Sequence, residues 1–530
     1  MSDKIDPKIY EPNIIDTVAA RISPKWAAGR YEDRVRAKYF MASLAGGYES
    51  AKKVGAVFEN FITGVTDADS SVDWGQRLTI VERVRQLVRD SPVSTAIIGR
   101  TCDHSIGARG LTCHPQIDHE RLGWTIERAI KWQDEANSLW RWFSESPECD
   151  IARTQNFQQK QNLTLRSYLE GGDCFTLFTE KERAGSDFKL KLQTLESERC
   201  NNKDYAEDTL NLVEGVVKDD AGAPERYQFS NIIPEDFTKN AAVTWDELNI
   251  FDPKTGRRNI LQHYNQIRPG QTRGIPLLAP VVDKILQLNR LSNAELLASV
   301  INSFYTIVIT GDPANTKQTR QSPAETGSET ANDKLKLGHG SIIRGDTGTE
   351  FESFDPQRPN HRFEPFFNAE VAQIGASIGI PKSLILMLFD KSYSASRGEV
   401  LLAWVYFLSK RTDIAVGLCQ PTYEAFLDEV ISRGMLDAPG YFSDMRIRKA
   451  FQGSAYNQWT GPTRPAIDEL KEAQANALAN AKGWKSLTGI TTETTGKDWV
   501  KVTEQLAREH KLRVASDLET EVDIPGIGGE

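Results

Sequence analysis

Four residues with metal-ligating side chains fall in one short window: Cys102, His104, Cys113 and His114. Mixed thiolate and imidazole sets bind zinc. However, Cys102-x-His104 and the adjacent pair Cys113-His114 give poor tetrahedral spacings, so four ordinary core or surface residues and no metal are expected. Asp390 and Glu399 flank a loop, as paired carboxylates in general acid–base chemistry do. No histidine or metal set accompanies them, and a solvated face or a helix N-terminus is the competing reading. The Gly-Lys at Gly496-Lys497 lacks the glycine spacing of a phosphate loop and is followed by Asp498 rather than Ser or Thr. Gly338-His-Gly340 reads as a turn, and neither a Gly-x-Ser-x-Gly elbow nor a His-Glu-x-x-His pair occurs. Arg83, Arg85 and Arg89 form a phosphate stripe or, the blander reading, the solvated face of an amphipathic helix. No catalytic residue and no cofactor are expected.

The elements that would carry these residues are legible from periodicity. Leu78, Val81, Val84, Leu87 and Val88 recur at helical spacing from Trp74 onward. Asp90-Ser-Pro92 interrupts that helix, an apolar pattern resumes over Val93 to Ile98, and glycines at 107 and 110 end it. Helices are expected over Ile126 to Phe143, with Trp132, Trp140 and Trp142, and over Asn156 to Glu170, where Gly171-Gly172 stops the chain. Residues 173–265 change character. Strands are expected at Cys174 to Thr179, Lys189 to Leu195, Val213 to Val217, Tyr227 to Ile233 and Ile260 to Tyr264. This gives an α+β chain.

A long helix follows Pro276, with prolines 276 and 280 confined to its first turn. The insert Gly311–Lys334 is polar, an exposed loop or a segment ordered only by partners. Short strands are expected at Ser341 to Arg344 and Glu350 to Phe354, then a helix over Phe366 to Ile378. Ser396-Arg-Gly-Glu399 has capping-box spacing for the next helix, and Pro421 should kink or break it near Gln420. Beyond Arg464 the chain reads as mostly helical and acidic.

The chain has 530 residues and a formal net charge of −9, with 64 Lys and Arg against 73 Asp and Glu. That length points to several domains or one large multi-part protomer. Phosphate-gripping proteins are usually basic, so an acidic chain that meets DNA would surround it rather than hold it. Six scattered cysteines read as reduced thiols of a cytoplasmic product. The first residues are charged, without an apolar signal core. No run of about 18 apolar residues occurs, so no membrane-spanning helix is expected.

Several strings, weak singly, are specific in order and spacing. They are Arg85-Gln-Leu-Val-Arg-Asp-Ser-Pro92 with the helix to Gly110, Pro269-Gly-Gln-Thr-Arg-Gly274, Ile378-Gly-Ile-Pro381, Tyr393-Ser-Ala-Ser-Arg397 leading to Trp404, Trp459-Thr-Gly461, and Arg464 to Glu472. In these the chain resembles the lambda-family portal proteins of tailed bacteriophages, over roughly residues 70 to 510. The resemblance implies a portal fold with wing, stem, clip and crown, assembled as a non-enzymatic ring, usually of twelve subunits. By chain order, residues 1–276 would be wing, 277–310 the first stem helix, 311–361 the clip and 362–380 the second stem helix. Residues 381–397 would be the tunnel-loop region, 398–465 the kinked helix and the rest of the wing, and 466–530 the crown and tail.

It also implies channel contacts at Asp390, Lys391, Ser392, Tyr393, Ser394 and Arg397, and structural roles for Gly270, Arg273, Gly274, Pro381, Trp404 and Trp459. The implied partners are double-stranded DNA passing through the channel, the terminase large subunit, major capsid and scaffolding proteins, and head-completion or connector proteins, with no membrane. The implied location is the virion's portal vertex, after synthesis in the host cytoplasm. Two rivals remain open: a metal-dependent DNA-processing enzyme and a monomeric virion adaptor.

Overall fold

In the computed structural model the described residues are 66–233, 242–303, 307–310, 350–353, 362–389, 392–464, 469–495 and 499–516, together with Lys25. The chain divides into two compact units, residues 1–67 and 68–530, and all that follows concerns the second.

Its first layer is helical. Helices α1 (Trp74–Asp90), α2 (Pro92–Ser105), α3 (Ile126–Ser144) and α4 (Phe157–Gly171) arise where periodicity places them. Asp73 caps α1, and Asn156 with Gln159 forms a reciprocal capping box on α4. Their apolar faces join one core with the aromatic group Trp140, Phe143, Phe157, Phe426 and Trp459. Trp140 lies edge-on to Tyr423 and Phe426 at ring separations of 5.3 and 5.2 Å. Of the three tryptophans of α3, Trp132 and Trp140 are buried and Trp142 is exposed.

Two antiparallel sheets follow. Strands β2 (Asp173–Glu180), β3 (Leu190–Glu196) and β8 (Ile260–Tyr264) pair in the order β3-β2-β8. The second sheet runs β4 (Leu212–Val213), β5 (Val216–Lys218), β6 (Pro224–Ser230) and β7 (Trp245–Asn249). The single strand expected at Val213 to Val217 is instead a hairpin, in which Val213 pairs with Val216. Glu214 and Gly215 have φ of 45° and 83°, the doubly left-handed pair a two-residue hairpin turn needs. Glu-Gly lacks the usual Asn-Gly signature, so the turn was not legible. Strand β7 was likewise not expected, having few apolar residues. A two-stranded pair, β1 (Thr112–Cys113) with β11 (Trp459–Thr460), joins distant parts of the chain.

A short 3-10 turn at Ala279–Val281 holds Pro280 and leads into α5 (Val282–Ser303). The helix ends at Ser303, and the last residues of the expected first stem segment, Ile307–Thr310, are instead strand β9, paired antiparallel with β10 (Glu350–Ser353). The expected strand at Ser341 to Arg344 and the polar insert lie outside the described residues. Helix α6 (Phe363–Ile378) packs beside α5, with Lys284 Nζ donating to Gln373 Oε1 at 2.6 Å. Gly379, at φ 95°, is its left-handed cap. A five-residue helix, α7 (Lys382–Leu386), was not foreseen.

Helix α8 (Tyr393–Ile414) begins three residues before the expected capping box, and the Ser396 amide already donates to the Ser392 carbonyl at 3.0 Å. Pro421 does not break the chain. A π-helical turn at Ala415–Cys419 connects α8 to α9 (Gln420–Ser432). Widening the turn before a proline relieves its clash with the carbonyl four residues back and the lost hydrogen bond. Helix α10 (Met445–Gln452) completes the core. Helices α11 (Glu469–Ala481), α12 (Leu487–Thr495) and α13 (Trp499–Ala515) follow.

Candidate functional site

Residues 268–274 make a dense, buried polar site. Gly270, at φ 79°, sits in the turn closed by the Gln271 amide on the Arg268 carbonyl, at 3.2 Å. Gln271 Oε1 accepts from the Ile267 amide at 2.8 Å, and Thr272 is held by Asp69 through its amide (2.7 Å) and hydroxyl (2.6 Å). The buried Arg273 then spends all five guanidinium donors. Two meet the Asp173 carboxylate, at 2.6 and 3.1 Å, and the rest meet the carbonyls of Ser197, Cys200 and Glu214 at 2.8, 2.9 and 2.6 Å. Burial alone would raise the Asp173 carboxyl, but the Arg273 charge overrides it and holds the group below its usual range. Nearby, Arg77 donates to Glu214, and Arg85 pairs with Glu198 at 2.5 Å. Arg77 stands on the apolar face of α1 with Val81, Val84 and Val88, a charge on a buried stripe that sequence reading passed over.

Beside this cluster two backbones touch. A Cβ on Gly274 would lie 2.0 Å from the Gly172 carbonyl oxygen, and one on Gly172 would lie 2.5 Å from that of Gly274. Only glycine permits that approach. The arrangement is a clamp: it ties the sheets, α1 and α4 to the start of α5. The Arg273 donors are all taken up within it, while Arg77 Nη2 is buried without a hydrogen-bond partner among the described residues.

The loop after α6 is built differently. A Cβ on Gly375 would lie 2.2 Å from the Ile380 carbonyl, so the chain folds tightly back at Ile378–Pro381. Pro381 sets the first turn of α7, accepting from the Leu384 and Ile385 amides at 3.1 and 3.2 Å. Met387, Leu388 and Phe389 then project to solvent. Asp390 and Lys391 lie outside the described residues, and Ser392 and Ser394 are exposed. Arg397 pairs with Glu472 of α11 at 3.3 Å, as does Arg464. Glu399, considered above for acid–base chemistry, accepts from the buried Ser383 hydroxyl at 2.5 Å and so fastens α8 to α7. Trp404 packs on the core with Arg411 over its ring at 5.5 Å, and the buried Trp459 donates to Gln420 Oε1 at 3.2 Å.

The four metal-ligand candidates go to different neighbours. Cys102 is buried in α2, and its thiol is pushed up to about 12 by burial. Cys113 is buried in β1, and burial raises it too. His104 lies 4.9 Å from the Phe407 ring, and His114 Nε2 is 3.0 Å from Thr460 Oγ1. Among the described residues no group of three or more His, Cys, Asp or Glu could hold a metal ion. Nor is any helix there long and apolar enough to cross a membrane.

Known proteins resemble this chain at two levels. Similar sequences include portal protein B of Escherichia phage lambda, 23% identical over 456 residues, covering 82% of this chain and 84% of that protein. The portal protein of Escherichia phage N15 is 22% identical over 459 residues, with the same coverages. Among solved structures, the virion of a native gene transfer agent particle aligns with 80% of this chain and 96% of its own, at 14% identity and a TM-score of 0.44. The neck of that native particle, computed with C12 symmetry, aligns with 79% and 93%, at 12% identity and a TM-score of 0.43. Residues 56–411 match the family described as phage portal protein, lambda family. That span takes in the clamp, both helices around the insert, the loop and Trp404. Trp459–Gly461 and Arg464–Glu472 fall beyond it. With more than half its length matched, the chain belongs to the lambda family of phage portal proteins.

Proposed function

We propose that this chain acts without catalysis as one subunit of a closed ring of twelve copies, through whose axis DNA enters and leaves the capsid. Family membership carries the function. The ring itself is supported by apolar side chains that a lone protomer leaves in water. Leu296 and Leu297 on α5 are 65% and 60% exposed, and Leu402 and Val405 on α8 are 77% and 69% exposed. Monomeric proteins rarely present such runs, and neighbouring copies are the natural cover. Head-to-tail contacts would close the ring, each copy offering two different faces. The net charge of −9 suits a conduit, since like charge lets a duplex slide.

In this reading α5 and α6 are stem helices, β9 and β10 zip the base of the clip, and residues 381–397 are the tunnel-loop region. Residues 1–276 and 398–465 build the wing, and 466–530 form the crown and tail. The clip would dock the terminase large subunit and later the head-completion proteins, and the outer surface would meet capsid and scaffolding proteins. Negative-stain images of the purified full chain test the ring. Particles with a central hole are expected; uniformly monomeric particles at high concentration and in assembled heads rule it out. A nuclease assay with divalent metal tests the enzymatic rival, and metal-dependent cleavage lost on changing Glu399 would overturn the passive reading.

A further inference from the structure

A cleft of about 730 Å³ opens between the loop 107–112, α3 and the start of α4. Its floor includes Trp140, Leu111 and Leu163, and its rim carries Arg109, Arg141 and Arg166. The loop is fixed in place: the Gln161 side chain accepts from the Leu111 amide at 2.6 Å and donates to the Leu111 carbonyl at 3.2 Å. Arg141 and Arg166 pair with Glu145 and Glu170 at 2.9 and 2.8 Å, exposed or half-exposed contacts that exchange readily. Arg109 is exposed, and Asn137 and Asn162 are half-buried. None of the three has a side-chain partner among the described residues. The cleft thus offers cations at its edge, amides that both donate and accept, and an apolar floor.

We propose that this cleft docks an acidic peptide segment, and that the segment is 517–523 of this chain, in the same or a neighbouring copy. Asp517, Glu519, Glu521 and Asp523 alternate there with Leu518, Thr520 and Val522, and no Lys or Arg occurs from 517 to 530. In an extended chain, successive side chains point to opposite faces. Carboxylates could therefore meet the arginine rim while Leu518 and Val522 turn to the floor. The amides of Asn137 and Asn162 suit a polypeptide main chain, which presents both donors and acceptors; a phosphate backbone presents acceptors only. The net charge of −9 also disfavours a nucleic acid there. The proposal does not depend on the ring.

Hydrogen–deuterium exchange on the full chain tests it. Amides 517–523 should exchange about tenfold slower than in a synthetic peptide of the same residues. The protection should vanish in R109E/R166E and in E519K/E521K, and partly return when the four changes are combined. Both arginines are at the surface, so the fold is retained, as circular dichroism would check. Exchange at the free-peptide rate in the unaltered chain overturns the proposal, as does protection that persists in both variants. Protection displaced by a 20-base-pair duplex at equal concentration would assign the cleft to nucleic acid and overturn it equally.

Discussion

At the residue scale, the clamp gives Arg273 and Gly274, the last two residues of the string Pro269–Gly274, a structural role. Removing one partner of a buried, fully hydrogen-bonded ion pair strands the other charge, which costs about 3–5 kcal/mol. Arg273→Ala should therefore lower the unfolding free energy by about that much in a denaturant titration, and Arg273→Lys should recover only part of it, lacking the planar fork. A loss under about 1 kcal/mol for Arg273→Ala would show that the clamp is not structural. Acid sensitivity belongs here too. Burial lowers His263 from its ordinary 6.5 to about 3, with its Nε2 2.9 Å from Thr176 Oγ1. The unfolded chain protonates first, so this contribution is complete above pH 6.5 and falls by about 1.4 kcal/mol per unit as pH drops toward 3. Asp173, also held low, adds a further loss once pH falls below its ordinary value of 3.8. His263→Gln should flatten the pH 6.5–4 part of the stability profile measured by thermal melts; an unchanged slope there would remove His263 as its cause.

At the element scale, close backbone contacts set the joints. Gly274→Ala would put a methyl 2.0 Å from the Gly172 carbonyl, so the loop between the sheets and α5 must move. Destabilisation of about 1–3 kcal/mol is expected, as for overpacked sites, and a melting curve unchanged from the parent chain would disprove the contact. Glu399 tethers α8 to the short α7 through Ser383. Glu399→Gln keeps an acceptor and should be mild, whereas Glu399→Ala should loosen the loop from Met387, read out as faster limited proteolysis there. Helix extents were largely legible because 3.6-residue periodicity and caps are local. The strand at Ile307–Thr310, the π turn before Pro421 and the Glu214–Gly215 hairpin were not, because each answers to packing beyond its own segment.

At the scale of the whole molecule, the chain is a portal protein of a tailed phage, and the proposed ring would cover its exposed apolar faces. If Lys391 meets passing DNA, Lys391→Glu should leave rings intact in electron micrographs but shorten the DNA retained in heads, measured by gel sizing; normal full-length genomes would take that residue out of the channel. The sequence by itself determined the α+β class, the positions of most helices and strands, the lack of a recognisable catalytic motif and the family. These follow from side-chain periodicity and ordered strings, which chain order preserves. Only the tertiary structure decided that Asp69, Arg77, Asp173, Glu214 and Arg273 share one polar cluster, that Arg397 and Glu399 serve neighbouring helices, and that the four Cys and His candidates disperse. Those partnerships join residues up to about two hundred positions apart, and a linear pattern holds no record of which distant groups folding brings within hydrogen-bonding reach.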